Sequence, residues 1–169
     1  MMLEIALEAD AEWDSSSWDD LVRRSAEAAI AESAFPQLAT SNRAVELSVR
    51  LTGDAEVRRL NAQWRGQDKA TNVLSYSLAD PDDLNTNIAE RELLLGDIVV
   101  ARGVCGAEAA DKGIALADHA AHLVVHGTLH LLGYDHHDDG AANDMEAREV
   151  RALSRIGVAN PYQADGDGD

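Results

Sequence analysis

The stretch from His119 to Tyr134 holds no Asp, Glu, Lys or Arg, yet four histidines interrupt it, at positions 119, 122, 126 and 130. Such a run is too short and too polar to cross a bilayer. The pattern predicts a helix from Leu116 to Leu132, stopped by Gly133. His126 and His130, four apart, then lie about one turn apart on one face, where both imidazoles can reach a single cation. Gly133 permits the left-handed turn that swings the chain back, and His136 arrives as a third ligand. Three neutral imidazoles leave the fourth position of a tetrahedral zinc open, which marks a catalytic site rather than a structural one.

Each step of four residues drifts about 40° around a helix, so His122 cannot converge with His126 and His130 as well as a loop residue can. His119 and His122 are therefore read as supporting or packing residues behind the ligands. His137 remains an alternative to its neighbour His136. Asp135, beside a ligand, is the candidate to orient it. The spacing H-x3-H-x2-G-x2-H is that of the metzincin proteases, but Gly127 stands where they carry a glutamate, so a peptidase would lack its general base. An all-histidine site leaves the cation's positive charge unneutralised, which suits an anionic substrate such as a phosphodiester.

The rest of the chain builds a frame for this helix. Residues Leu3 to Glu8 and Ala44 to Leu51 alternate apolar and polar, as half-buried strands do. Asn72 to Ser77 makes a short strand, and Leu93 to Val100, the most apolar segment, makes a central one. Helices are expected from the serines at 15–17 to about Ser33, after a cap at Thr52 or Asp54, from Val104 to Lys112, and from about Asp139 to Ile156 with Gly157 beyond its end. Residues 79 to 92 read as an exposed acidic excursion. The expected fold class is α/β of an α+β-like kind: one small mixed sheet of about four strands with about five helices and a metal site at a helix end. At 169 residues, with 29 alanines, the chain has one core. A single domain over 1–160 and an acidic disordered tail over 161–169 are expected. One cysteine, Cys105, excludes a disulfide framework and points to a reducing compartment.

The formal net charge is −17, which argues against general affinity for nucleic acid. Its distribution changes that reading. The first 20 residues carry seven acids and no Lys or Arg, whereas residues 43 to 69 carry six basic residues against four acids. Arg65 closes a helix in this segment and leads into a Gly-containing loop, where its fork of donors can hold a phosphate bidentately. Arg58 and Arg59 read as members of surface ion pairs. Trp64 and Tyr76 flank the loop and read as core residues, with base stacking as the rival role.

Three blocks, HGTLHLLGYDH at 126–136, LNAQWRGQDKATNVLSY at 60–76 and LLGDIVV at 94–100, resemble the signatures of the YbeY family of metal-dependent endoribonucleases, and Met145 to Glu149 fit that family's final helix. The resemblance spans residues 3 to 160. It implies one Zn²⁺ per chain on His126, His130 and His136, with His126 catalytic, and a catalytic arginine at Arg65. Arg65 and Lys69 are the implied substrate contacts. Asp135 and His122 are the supporting positions. The implied activity is cleavage of single-stranded RNA in ribosomal RNA end processing and ribosome quality control, in the cytoplasm and without a membrane. The implied partners are ribosomal RNA, the small ribosomal subunit, and a ribosomal protein or assembly GTPase. Lys69-Ala70-Thr71 stands where the family commonly has K-P-T, and Ser77 where it commonly has proline, so the loop beside Arg65 loses two rigid residues. Asp97, in the third block and read as lying at a strand end, is a candidate base. A metalloprotease on the same histidines, or a non-catalytic ribosome-assembly factor with a structural metal, are the competing readings.

Overall fold

The computed structural model describes residues 3–13, 18–39, 43–85 and 92–162. Four strands, β1 (Leu3–Ala9), β2 (Val45–Thr52), β3 (Val73–Ser77) and β4 (Leu93–Ala101), form one sheet in the order β1-β2-β4-β3. β1, β2 and β4 run parallel, and β3 lies antiparallel on β4 at the edge. The strand expected to be central, β4, is internal and almost wholly buried. Among the described residues, six α-helices complete the mixed α+β fold: α1 (Asp19–Ala31), α2 (Asp54–Arg65), α3 (Pro81–Asn85), α4 (Arg102–Lys112), α5 (Leu116–Leu131) and α6 (Asp139–Arg155).

Burial divides the helices between the two faces of the sheet. Leu47, Leu95, Ile98 and Val100 of one face pack against Val22 and Ile30 of α1 and Leu123 and Val124 of α5. Behind that layer, Ala121, Val125 and Leu129 of α5 meet Met145, Ala152 and Leu153 of α6. On the opposite face, Val57 of α2 covers Leu74, Val99 and Ala101. The helix α5, all but surrounded by apolar neighbours from His119 on, is thus the buried centre that its charge-free stretch demands.

Several local details depart from the sequence reading. The serines expected to cap α1 lie outside the described residues, and the helix begins after Trp18 without a side-chain cap. Asp54 caps a different helix: its Oδ1 accepts the Val104 amide of α4 at 3.1 Å, while α2 starts from Gly53. The acidic excursion contains the short helix α3, whose Leu84 is buried, and Arg43 donates to the Asp83 carbonyl at 2.9 Å; residues 86–91 lie outside the described residues. The expected tail begins with a turn at Pro161 and Tyr162, and its remainder, 163–169, also lies outside them. No helix of the described residues is long and apolar enough to cross a membrane.

A close approach in β4 shapes the sheet edge. The β2 register slips between Glu46 and Leu47, and Gly96 at the slip has φ +143°, where a Cβ would meet the Tyr76 carbonyl at 2.1 Å. Only glycine lets β3 come this near.

Candidate functional site

The end of α5 gathers the histidines. Gly133, at φ +97°, turns the chain in the left-handed region, and the Tyr134 amide donates back to the Leu129 carbonyl at 3.1 Å. The Asp135 carboxylate then accepts the backbone amide of His136 at 2.7 Å and fixes the residue's entry. As a result, one ring nitrogen from each of His126, His130 and His136 lies within 4.8 Å of the others. His137 faces away, its Nε2 at 3.1 Å from Asp138. The donor set suits a single transition-metal cation. Burial, with the neighbouring rings of His126 and His136, holds the His130 imidazolium down to about 4, so this side chain is present as the neutral imidazole that a metal needs.

Asp135 acts on the backbone of His136 rather than on its ring, which is 3.9 Å away and beyond hydrogen-bond reach. His122 stands one step removed from the cluster. Its Nε2 donates to Glu149 Oε1 at 2.8 Å, while His126 Nδ1 donates to Glu149 Oε2 at 2.7 Å. The Tyr162 hydroxyl also donates to Glu149 Oε1. Burial alone would raise the Glu149 carboxyl, but the hydrogen bonds from His122 and His126 outweigh it and hold the group down to about 2. Further along α5, buried His119 donates to Glu108 at 2.8 Å, which also accepts from Asn72.

Glu149 and Tyr162 received no role in the sequence reading. One signal for the acid was available: with Met145, Ala152 and Leu153 it occupies the buried stripe of α6, where a lone carboxylate calls for partners.

Gly127, the position of the missing protease glutamate, faces the sheet. A Cβ there would come within 3.0 Å of Ile98 Cγ2, so α5 and β4 approach closely and leave no room for a carboxylate. Glu149 does not take that part, because both its oxygens are engaged by His122, His126 and Tyr162.

Arg65 ends α2 on the other face of the sheet. Four of the six basic residues of 43–69 are engaged: Arg43 with Asp83, Arg50 with Glu56, Arg58 with Asp68 and Arg59 with Glu56. Among the described residues, Arg65 and Lys69 are exposed and form no ion pair. The loop between them has an anchor that does not depend on proline: the Asn61 amide donates to the Lys69 carbonyl at 2.9 Å. Trp64 is 65% exposed, so the expectation of a core role fails: it borders an open groove over the sheet instead of packing into the core. Tyr76 is half-buried, and its hydroxyl has no hydrogen-bond partner among the described residues. Burial raises that hydroxyl's pKa, and the Arg65 charge beside it works the other way.

Asp97 lies in the interior of β4, paired with Tyr76 and Ser48, rather than at a strand end. With Trp64, Tyr76 and Leu78 it lines a groove of about 530 Å³ on the α2 side, away from the helix that carries the histidines. Edge strand β3 connects the two regions. Tyr76 sits beside Arg65, and the hydroxyl of the next residue, Ser77, donates to the His130 carbonyl at 3.5 Å.

Comparison with known proteins points to one family. A sequence description of the family "Endoribonuclease YbeY" matches residues 5–157. The chain is 50% identical over 169 residues to the endoribonuclease YbeY of Sphingopyxis alaskensis, covering 98% of this chain and 100% of that protein. It is 45% identical to that of Rhizorhabdus wittichii, covering 95% and 97% of the two chains. In fold it is similar to the solution structure of a Thermotoga maritima protein, with TM-score 0.54 and 22% identity over 99% of this chain and 97% of the other.

Proposed function

Because the chain belongs to the YbeY family of endoribonucleases, we propose that it cuts single-stranded RNA at His126, His130 and His136, with Arg65 as the phosphate clamp. The observation that carries this reading is the convergence of three neutral-capable imidazoles beside a glycine that excludes the peptidase base. Zn²⁺, one per chain, is the ion we assign to the three histidines. When bound it supplies a Lewis acid for a phosphate oxygen.

The chain's own residues supply position and charge. Arg65, with no carboxylate partner to displace among the described residues, is available to neutralise charge that develops on the phosphorane. Lys69 adds a second cation to the same loop, and exposed Trp64 offers a face on which a base can stack. Since α2 and α5 cover opposite faces of the sheet, an RNA strand reaching both Arg65 and the histidines passes over edge strand β3. A duplex is too stiff for such a path, which favours single strands. His122, through Glu149, and Asp135, through the His136 amide, support the ligands.

The physiological substrate in this reading is ribosomal RNA in end processing and quality control, on the small ribosomal subunit, with a ribosomal protein or assembly GTPase supplying specificity in the cytoplasm. An overall charge of −17 fits an enzyme that engages RNA locally and relies on a partner. Residues 1–160 act as one catalytic domain.

The test is to measure bound metal and then incubate wild type, His126→Ala and Arg65→Glu with single-stranded RNA and with casein. RNA cleavage lost in both variants is expected. Cleavage that survives both substitutions overturns the site; casein cleavage abolished by His126→Ala establishes a protease instead; bound metal with neither substrate cut supports the assembly factor.

A further inference from the structure

Among the described residues, Glu149 is the one buried carboxylate. It is 0% exposed, on a helical stripe whose other members are Met145, Ala152 and Leu153. A buried carboxylate is tolerated only when donors replace its water. Three do, from two separate parts of the chain: His122 and His126 from α5, and Tyr162 from the turn after α6.

The anchoring of α6 does not call for these contacts. That helix already docks through its apolar stripe on α5 and through Glu32, which receives Arg151 and Arg155 on its two oxygens and Arg148 on its carbonyl. A leucine at 149 would serve packing at no electrostatic cost. What the carboxylate alone can do is set the state of His126. By accepting from Nδ1 it holds the proton there, which leaves the Nε2 lone pair for the side where His130 and His136 converge. It also makes that imidazole a stronger donor to a cation, and it places a compensating negative charge behind the cluster.

Tyr162 adds a second element. Its ring stands edge-on to His122 with centroids 5.5 Å apart, and its hydroxyl completes the shell of Glu149 Oε1. The same ring walls a cavity of about 180 Å³ whose other lining includes His126, His136, Met145 and Glu146. The segment after α6 is thereby fastened to the rear of the metal cluster.

We infer that Glu149 and Tyr162 are positioning residues for His126, and that the turn following α6 is a strap that sets how tightly the three histidines hold their metal. This rests on the reading of His126, His130 and His136 as a metal site.

The experiment measures Zn²⁺ dissociation constants by chelator competition, and visible spectra of the Co²⁺-substituted protein, for wild type, Glu149→Gln, Tyr162→Phe, Arg155→Ala and His130→Ala. Glu149→Gln keeps the volume and one acceptor but loses the charge; it is expected to weaken binding by about 10- to 100-fold and to shift the Co²⁺ bands. Tyr162→Phe, which keeps the ring and fold, is expected to weaken binding several-fold. Arg155→Ala loosens α6 without touching the histidines and is expected to leave both readouts unchanged. Zn²⁺ affinities of folded Glu149→Gln and Tyr162→Phe within twofold of wild type overturn the inference, as does an equal loss in Arg155→Ala, which would reduce Glu149 to a helix anchor. If wild type and His130→Ala bind Zn²⁺ alike, the metal reading itself falls; a His130-dependent affinity indifferent to Glu149 and Tyr162 overturns the strap alone.

Discussion

The two regions to which the proposed function assigns the chemistry are built in opposite ways. At the end of α5, each element of the histidine cluster is braced: Gly133 turns the chain, Asp135 holds the His136 amide, and Glu149 holds His126. At the end of α2, Arg65 and Lys69 project from an exposed loop and pair with no carboxylate among the described residues, although their basic neighbours are engaged. The difference matches what the proposed function asks each region to bind. A cation demands fixed distances from several ligands at once, so the protein must pre-position them. A flexible polyanion adapts its own shape, and a free guanidinium on a pinned loop suffices.

The largest effect that follows is on the braced side. His130→Ala is expected to abolish stoichiometric metal and bring RNA cleavage to the assay background while the fold survives; metal content by mass spectrometry and circular dichroism check it. Retention of one metal per chain would break the contrast at its root. Arg65→Ala should act differently. It removes charge stabilisation with no structural partner, so cleavage should fall by about 10²- to 10³-fold with metal content and thermal stability unchanged. A variant that loses metal or unfolds would show that the two regions are one unit.

How much of this was legible depended on whether the cause was local. The alternation in β1 and β2, the glycine turn after α5 and the spacing of His126, His130 and His136 are local, and each appears in the structure where the pattern put it. Glu149 was hidden because its neighbours Asp144, Glu146, Arg148 and Arg151 make α6 look like an ordinary solvated helix; only the packing of α6 on α5 turns that one position inward. Asp54 was misassigned for a similar reason, since its helix partner lies about fifty positions away in sequence. Trp64 reads as core by residue type, but it borders a groove that α2 leaves open over the sheet. Arg65 stands out by its place at a helix end beside a glycine loop and the resemblance gives it a role, while the carboxylate partners of Arg58 and Arg59 are identified only by the fold.

A smaller effect tests the close packing that brings the histidine helix onto the sheet. Gly127→Ala places a methyl about 3.0 Å from Ile98 Cγ2. Overpacking of this kind costs about 1–3 kcal/mol, to be read from urea denaturation. The loss should come with weaker metal retention, because α5 must shift from β4 and carries His126 and His130 with it. Unchanged stability would mean that the two elements have slack, and that the bracing is confined to Gly133, Asp135 and Glu149.

The smallest effect concerns the outer fastening of α6. The hydrogen bond from Arg155 holds the Glu32 carboxyl below its usual value of 4.5, against the opposing effect of burial and with further help from Arg151. A carboxyl whose pKa is lowered on folding contributes stability that is complete above its unfolded pKa and is lost as the pH falls through the folded one. Glu32→Gln should therefore cost stability at pH 7, by about 0.2–1 kcal/mol because both arginines are half exposed and screened by solvent. The gap between variant and wild type should narrow as the pH drops below about 4.5. RNA cleavage at neutral pH should stay at the wild-type rate, since neither the histidines nor Arg65 touches this contact. A gap that stays constant with pH assigns the Glu32 effect to packing, and a fall in cleavage extends the braced region from the metal ligands to the α1 end of α6.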